Sequence, residues 1–139
     1  MKVISHRGNV NGPSDSENHP VGIVKVLEMG LDCEVDVWHK DGAYWLGHDD
    51  PLYDVSTHFL KNDRLWCHAK DLNALESMLS DGIHCFWHQE DDFTLTSKGY
   101  IWTYPERITC DKSVIVQKGK DKLPEKCYGI CTDYPKFYL

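Results

Sequence analysis

The chain has 139 residues, a length that predicts a single domain over residues 1–139. An apolar fraction of 41% and a charged fraction of 27% are typical of a globular protein that can bury a core. The formal net charge of −7 argues against a general binder of nucleic acid or of anionic membranes. Because no apolar run approaches the roughly 20 residues of a transmembrane helix, we expect no membrane span.

We expect no secretory leader at the amino terminus, since a strand-like segment begins at Lys2 and reaches His6 almost at once. We therefore expect a cytoplasmic protein. Six cysteines leave a disulfide framework open as an alternative. However, Cys33, Cys67 and Cys85 lie in apolar strand-like segments, where a free thiol behaves as a small hydrophobe. The absence of a Cys-x-x-Cys pair argues against a structural zinc site.

Strands and helices alternate in the first half of the predicted element order. Pro20 suits the first turn of a helix that ends at Gly30, and Asp71 suits the N-cap of a second helix that ends at Gly82. The strand-like segments cover residues 2–5, 31–38, 43–46, 65–69, 83–87, 100–104, 113–116 and 128–132. After the second helix, the connections are too short or too polar for full helices. The order predicts an α/β fold with parallel strands, in which functional residues gather at the carboxyl ends of the strands.

The second predicted strand carries acidic residues at alternate positions, among them Glu34 and Asp36. A strand places the carboxylates of Glu34 and Asp36 on one face and apolar side chains on the other. An Asp-Gly pair at 41–42 is a strong signal for a tight turn, and the returning strand leads directly to His48. His6 ends the first strand and is therefore expected at the same edge of the sheet.

These four side chains indicate metal-assisted acid–base chemistry on a phosphate ester. Paired imidazoles can exchange protons with reacting groups, and adjacent carboxylates can hold a divalent cation. The alternative for His6 and His48 is a pair of ordinary surface or core histidines, since the chain has eight histidines. The alternative for Glu34 and Asp36 is the solvated face of an edge strand.

Several short motifs follow one another in a characteristic order. They are Ser-His-Arg-Gly at 5–8, Glu-Asn at 17–18, Cys-Glu-Val-Asp-Val at 33–37, Gly-His-Asp-Asp at 47–50 and Thr-Asp-Tyr-Pro at 132–135. In order and spacing the motifs resemble the glycerophosphodiester phosphodiesterase family, specifically in the first third of the chain and weakly in the middle. The resemblance implies a (β/α)8 barrel, which typically needs about 250 residues. We therefore predict a condensed TIM-type barrel with reduced or missing helices in the C-terminal half.

The resemblance also implies roles for individual residues. His6 and His48 match the two catalytic histidines, one accepting a proton from the attacking hydroxyl and the other protonating the leaving alcohol. Glu34 and Asp36 match ligands of a divalent metal ion, with Mg²⁺ or Ca²⁺ as the expected cofactor. Arg7 would bind the substrate phosphate through its guanidinium donors.

One segment departs from the family pattern, which usually has a Glu-x-Lys sequence on a later strand. This chain has His68-Ala69-Lys70 there. Lys70 matches a lysine that binds the substrate phosphate, whereas His68 replaces an acidic metal ligand. Imidazole binds Mn²⁺ or Zn²⁺ better than Mg²⁺ or Ca²⁺, so His68 as a third ligand would shift the metal preference. The alternatives are a water molecule as the third ligand, or a contact from His68 to the substrate.

The predicted function is metal-dependent hydrolysis of a small glycerophosphodiester-type substrate, an activity of lipid metabolism. One alternative in the same superfamily is a lyase like the spider-venom phospholipases D, which release a cyclic phosphate. Another alternative is a module that binds phosphate or metal without catalysis. Missing helices would leave apolar sheet surface uncovered, so a homodimer is a further expectation.

Other residues stay open between a structural and a functional role. The Glu-Asn pair at 17–18 belongs either to a turn or to the site. His88 either supports the site or begins a loop, and Asp133 has either a structural or a site role. The run from Lys118 to Lys126, which alternates basic and acidic residues, is predicted to be a solvated loop.

Overall fold

The computed structural model describes all residues from 1 to 139 and consists mainly of strands. The strands are β1 (Lys2–His6), β2 (Asp32–Lys40), β3 (Ala43–Leu46), β4 (Tyr53–Val55), β5 (Leu65–Ala69), β6 (Cys85–Phe86), β7 (Phe93–Leu95), β8 (Ile101–Thr103), β9 (Ser113–Gln117) and β10 (Gly129–Thr132). The α-helices are α1 (Pro20–Glu28), α2 (Thr57–Leu60) and α3 (Leu72–Ser80), and a 3₁₀ turn at Pro135–Tyr138 follows β10. None of the helices combines the length and the apolar character that crossing a membrane requires.

Seven of the strands run parallel, in the order β6-β5-β2-β1-β10-β9-β8. Three short strands extend this sheet in antiparallel orientation: β3 pairs with β2, β4 with β3, and β7 with β8. The sheet curls until Phe86 of β6 stacks on Trp102 of β8, with ring centroids 4.4 Å apart. No backbone pairing joins β6 to β8, so the sheet stays open as a curled half-barrel.

The predicted TIM-type barrel is wrong. A TIM barrel has eight parallel strands, each followed by a helix, closed into a ring. Here the sheet is mixed and open, and no α-helix follows α3. Residues 104–112 and 118–128, which link β8 to β9 and β9 to β10, provide fewer than the dozen or so residues that a helical crossover needs. The C-terminal half is therefore built of strands and loops.

Alternate side chains of the strands form two cores, one on each face of the sheet. On the convex face, 17 buried residues pack beneath the helices, among them the odd-numbered residues of 33–37 on β2. On the concave face, six buried residues fill the interior of the curl, Trp66 and Trp102 among them. Glu34 and Asp36 project to the concave face, so the predicted alternation along β2 is confirmed.

Local sequence signals set the starts of the two longer helices, as predicted. Pro20 occupies the first turn of α1, and the side chain of His19 accepts a hydrogen bond from the backbone N–H of Val21. Asp71 caps α3 by accepting a hydrogen bond from the backbone N–H of Ala74 at 2.7 Å. Both helices pack against β2 and hold this central strand from its convex side.

Candidate functional site

The predicted site residues converge at the carboxyl ends of the parallel strands. On neighbouring strands, His6 lies opposite Glu34, and Asp36 lies opposite His68. His48 follows β3 by two residues and returns to the same edge. A cavity of about 220 Å³ opens at this edge, and its lining includes His6, Arg7, Glu34, His48 and His68.

Glu34 and Asp36 of β2 are buried below the cavity and only partly satisfied. Asn18 holds the fully buried Asp36 twice, because its amide donates to Asp36 Oδ2 at 2.9 Å and accepts from the Asp36 backbone N–H at 2.9 Å. Arg7 Nε lies 3.3 Å from the same carboxylate oxygen. Glu34 Oε1 and Asp36 Oδ1 have no hydrogen-bond partner. A buried charged oxygen lowers the stability of the fold unless a cation or a hydrogen-bond donor contacts it.

The pKa values of the two carboxyl groups shift in opposite directions. Burial raises the pKa of Glu34, and the negative charge of neighbouring Asp36 raises it further. Burial also opposes the ionisation of Asp36, but contacts with His48 and His68 and the charge of Arg7 hold its pKa well below the ordinary value. The pair thus has one firmly ionised carboxylate and one whose ionisation a nearby cation would favour.

His68 completes a set of three donors. Its Nδ1 lies 3.3 Å from Asp36 Oδ1 and 3.8 Å from Glu34 Oε2, and one ligand atom from each residue lies within 4.8 Å of the others. The other ring nitrogen, Nε2, donates a hydrogen bond to the carbonyl oxygen of His88 at 2.8 Å. Because a carbonyl can only accept, Nε2 keeps its proton, so Nδ1 is the ring nitrogen that faces the carboxylates and could bind a metal ion placed between them. These residues fit a divalent metal ion.

His6 is held from the far end of the chain. Its Nδ1 lies 2.8 Å from Oδ1 of Asp133, directly after β10, and Asn9 donates to the same oxygen at 2.8 Å. Burial lowers the pKa of His6, but the hydrogen bond to Asp133 and the charge of Glu34 outweigh burial and raise it. With Nδ1 engaged, Nε2 is left for proton exchange in the cavity, 3.9 Å from Glu34 Oε1.

A constrained loop positions His48. Gly47 precedes it with a φ of 156°, and a Cβ at this position would collide with the carbonyl oxygen of Asp50, so only glycine fits. Trp38 Nε1 donates to the Gly47 carbonyl at 2.7 Å and holds the loop against β2. Nε2 of His48 then accepts from Arg7 Nη2 at 3.5 Å, so the imidazole projects into the cavity beside the guanidinium.

The loop after β1 contains two strained residues. Arg7 and Asn18 have φ values of 58° and 65°, a conformation that costs about 1–3 kcal/mol for a residue with a side chain. The Arg7 N–H donates to the Glu34 carbonyl at 2.9 Å, and the Asn18 N–H donates to the Arg7 carbonyl at 2.8 Å. These hydrogen bonds hold the strained backbone in place and aim both side chains at Asp36.

Lys70 does not line the cavity around His6. It lines a neighbouring polar depression, which shares His48 and His68 with that cavity. Lys118, which begins the run predicted to be a solvated loop, is exposed but lines the cavity itself. The structure therefore offers a second lysine near the site that the sequence pattern does not single out.

Three supporting groups complete the site: the side chains of Asn18 and Asp133 and the backbone carbonyl of His88. The first two belong to the motifs at 17–18 and 132–135, so the sequence carries a signal for them, although it leaves their roles open. No sequence pattern marks the carbonyl, because every residue has the same backbone acceptor.

Comparison with known proteins assigns neither a family nor a function to the chain. No protein-family profile, curated protein or solved structure matches the chain. The resemblance to the glycerophosphodiester phosphodiesterase family thus rests on the sequence motifs and stays a prediction.

Proposed function

We propose that the protein hydrolyses phosphodiesters with the help of a divalent metal ion. The observation that carries the proposal is that His6 and His48 share one cavity with the buried donor set of Glu34, Asp36 and His68. Imidazoles that exchange protons, placed beside a cation site, are what metal-assisted phosphoryl transfer needs. The three donors would hold the ion, which when bound neutralises charge on the phosphoryl oxygens.

The surroundings of the two histidines support opposite proton roles. Despite burial, Asp133 and Glu34 raise the pKa of His6, which favours the protonated ring. Arg7 Nη2 donates toward Nε2 of His48, so this nitrogen carries a lone pair, which becomes free to accept a proton when Arg7 turns to the phosphate. We therefore assign the general acid to His6 and the general base to His48.

The proposed reaction moves one proton at each end of the phosphoryl group. The attacking hydroxyl, from water or from the substrate itself, loses its proton to His48 as the new P–O bond forms. The P–O bond to the leaving alcohol breaks, and the alcohol oxygen takes a proton from His6. Arg7 donates hydrogen bonds to a phosphoryl oxygen during the transfer. The products are an alcohol and a phosphomonoester, or a cyclic phosphate when a substrate hydroxyl attacks.

Turnover of bis(p-nitrophenyl) phosphate by the metal-loaded protein tests the proposal. We expect His48→Gln to lower kcat by about 10²–10⁴-fold, because it removes the proton transfer from the attacking hydroxyl. Since p-nitrophenolate leaves without a proton, we expect the same loss for His6→Gln only with a diester of an alkyl alcohol. His58→Gln is the matched control, since His58 is an exposed histidine on α2 outside the cavity. Wild-type rates in both site variants would contradict the assignment. Metal binding without turnover of any diester would favour the non-catalytic binding module instead.

The proposal also includes a small-molecule substrate and a second copy of the chain as partners. A cavity of about 220 Å³ suits a small phosphodiester. No α-helix accompanies β7 to β10, and Leu95 and Ile108 in this half are 70% and 83% exposed. One of these side chains lies on β7 and the other in the loop after β8, and exposed apolar side chains in a half without α-helices favour a homodimer. Sedimentation velocity over a range of concentrations should show dimers, and a monomer throughout would remove this part of the proposal.

A further inference from the structure

We infer that the site takes a first-row transition-metal ion such as Zn²⁺ or Mn²⁺ in preference to Mg²⁺ or Ca²⁺, and that His68 sets this preference. The inference rests on the proposed function for the location of the metal site, but not for catalytic turnover. Two carboxylates on their own would suit a hard cation, so the nitrogen donor decides the selectivity.

The surroundings of His68 hold its ring in the orientation of a metal ligand. The His88 carbonyl accepts a hydrogen bond from Nε2 at 2.8 Å, which leaves Nδ1 as the ring nitrogen available to bind a metal ion. Phe86 stacks on the ring with centroids 5.2 Å apart and an interplanar angle of 10°, which restricts rotation. The side chain of His68 is 17% exposed, so solvent competes little for Nδ1.

The separations within the donor set fit a shared cation better than direct hydrogen bonds. Nδ1 of His68 lies 3.3 Å from Asp36 Oδ1 and 3.8 Å from Glu34 Oε2. Both distances exceed the roughly 2.7–3.2 Å of an N–H···O hydrogen bond. Ligand atoms about 2.0–2.2 Å from one ion lie roughly 3–3.5 Å apart, which is close to these values.

Two unpartnered oxygens give an independent sign of a ligand: Asp36 Oδ1 faces His68 Nδ1 at 3.3 Å, and Glu34 Oε1 faces His6 Nε2 at 3.9 Å. Glu34 Oε1 and Asp36 Oδ1 are buried without a hydrogen-bond partner, and the side chains that carry them are 3% and 1% exposed. An anionic oxygen in such surroundings needs a positive partner. Arg7 approaches the other oxygen of Asp36, at 3.3 Å, and so leaves this need unmet.

The chemistry of the third donor separates the two classes of ion. Mg²⁺ and Ca²⁺ are hard cations that select oxygen ligands, whereas imidazole suits Zn²⁺ and other transition ions. A histidine at 68 also leaves the donor set with two negative charges, while an acid there would supply three. Hard cations depend more strongly on ligand charge, so His68 disfavours them on both counts.

Metal binding measured without substrate tests the inference. Calorimetric titration of the metal-free full chain should show Zn²⁺ and Mn²⁺ bound at least about tenfold more tightly than Mg²⁺ or Ca²⁺. His68→Gln should weaken Zn²⁺ and Mn²⁺ binding at least about tenfold and change Ca²⁺ binding less than about threefold. His68→Glu should instead strengthen Ca²⁺ binding. His58→Gln, which removes an exposed histidine elsewhere, should change none of these affinities.

Electron spin echo spectroscopy of the Mn²⁺-loaded protein provides a direct signature of nitrogen ligation. We expect nitrogen modulation in the wild type, its loss in His68→Gln, and its retention in His6→Gln and His48→Gln. This pattern would identify which of the cavity histidines binds the ion. Modulation that survives in His68→Gln would assign the ligand to another histidine and overturn the inference.

The remaining outcomes separate this inference from the proposed function. Equal affinity for all four ions, or a His68→Gln variant that weakens all of them equally, overturns the inference. Zn²⁺ binding that depends on His68 in a chain that turns over no diester supports the inference and contradicts catalysis. Turnover with Mg²⁺ in a chain that binds Zn²⁺ and Mn²⁺ no more tightly than Mg²⁺ supports catalysis and overturns the metal preference.

Discussion

The two halves of the sheet bury their side chains in different ways. Up to β6, the helices cover the convex face, and a core of 17 buried residues packs beneath them. No residue after Cys85 belongs to that core. In the second half, Trp102, Val114 and Cys131 instead join the smaller core inside the curl. The first half therefore has packed layers on both faces, whereas the second half packs mainly toward the interior.

The two halves also make different contributions to the proposed site. Glu34, Asp36 and His68 all lie on β2 and β5, whose convex sides pack in the larger core. Metal ligands must be held within about 0.5 Å, and strands packed on both faces supply such rigidity. The second half contributes a wall of the cavity and the contact from Asp133 to His6. We expect stability to depend on the first half and proton control on the second.

The largest effect should come from a truncation in the convex core. Leu65→Ala should lower the free energy of unfolding by about 3 kcal/mol, because Leu65 is fully buried on β5 and its removal leaves a cavity. Ile108→Ala is the counterpart in the second half and should cost less than about 0.5 kcal/mol, since Ile108 is 83% exposed. Urea denaturation measures both values. Equal losses of unfolding free energy in the two variants would contradict the difference between the two halves.

The next largest effect is expected at the contact between His6 in the first half and Asp133 in the second half. Asp133→Asn should lower kcat/KM about 10²-fold, because it removes the charge that holds the His6 imidazolium. Asp133 raises the pKa of His6, so the variant should lower this pKa. Since the proposed general acid His6 would act in its protonated form, the alkaline limb of the rate profile should move to lower pH.

A pH profile of kcat/KM for the wild type and Asp133→Asn checks this prediction. Asp121→Asn serves as the control, because Asp121 is an exposed aspartate in the same half and should leave the profile unchanged. A slower Asp133→Asn variant whose alkaline limb stays in place would show that Asp133 only supports the fold.

A smaller effect involves His84, at the opposite end of the interior from the site. It packs against Trp66 with ring centroids 4.5 Å apart and shares a 2.8 Å hydrogen bond with Thr96. Burial, together with the charge of Lys98, lowers the pKa of His84 to about 4. The ordinary value is about 6.5, so the unfolded chain binds a proton more readily between these pH values. This contribution to stability is therefore present above pH 6.5 and lost as the pH falls toward 4.

We expect acidification from pH 6.5 to 4 to remove about 2 kcal/mol through His84, after allowance for solvent screening. His84→Gln should lose less stability over this range, because glutamine does not titrate. Urea denaturation at several pH values compares the two slopes. Identical slopes would show that the imidazole is not the group that responds to pH.

The sequence patterns predicted those elements that have strong local signals. Periodicity, the Asp71 cap and the turn at 41–42 gave α1, α3 and the longer strands. The sequence does not predict β4, α2 and β7, which span only three or four residues. The equally short β6 and β8 were predicted because they lie within the apolar segments 83–87 and 100–104. The barrel was predicted from a family resemblance. Such a resemblance implies the topology of the family, but it does not test whether the connections in this chain are long enough to form it.

The same contrast applies to the candidate site. The motifs predicted His6, Arg7, His48 and His68, and the structure brings them to one cavity. Lys70 follows β5 in sequence but lines a neighbouring depression, because the position of a long side chain depends on the loops around it. Whether these residues perform the predicted chemistry is a question for the experiments on turnover and metal binding.

By itself, the sequence determined that Glu34 and Asp36 share one face of β2, because alternation along a strand is a local property of the backbone. Only the tertiary structure decided that Asp133 meets His6, 127 residues away, and that the carbonyl of His88 orients His68, 20 residues away. These contacts require β10 to lie beside β1 and β6 beside β5. The packing of both cores together sets such strand neighbours, and no short stretch of the chain encodes them.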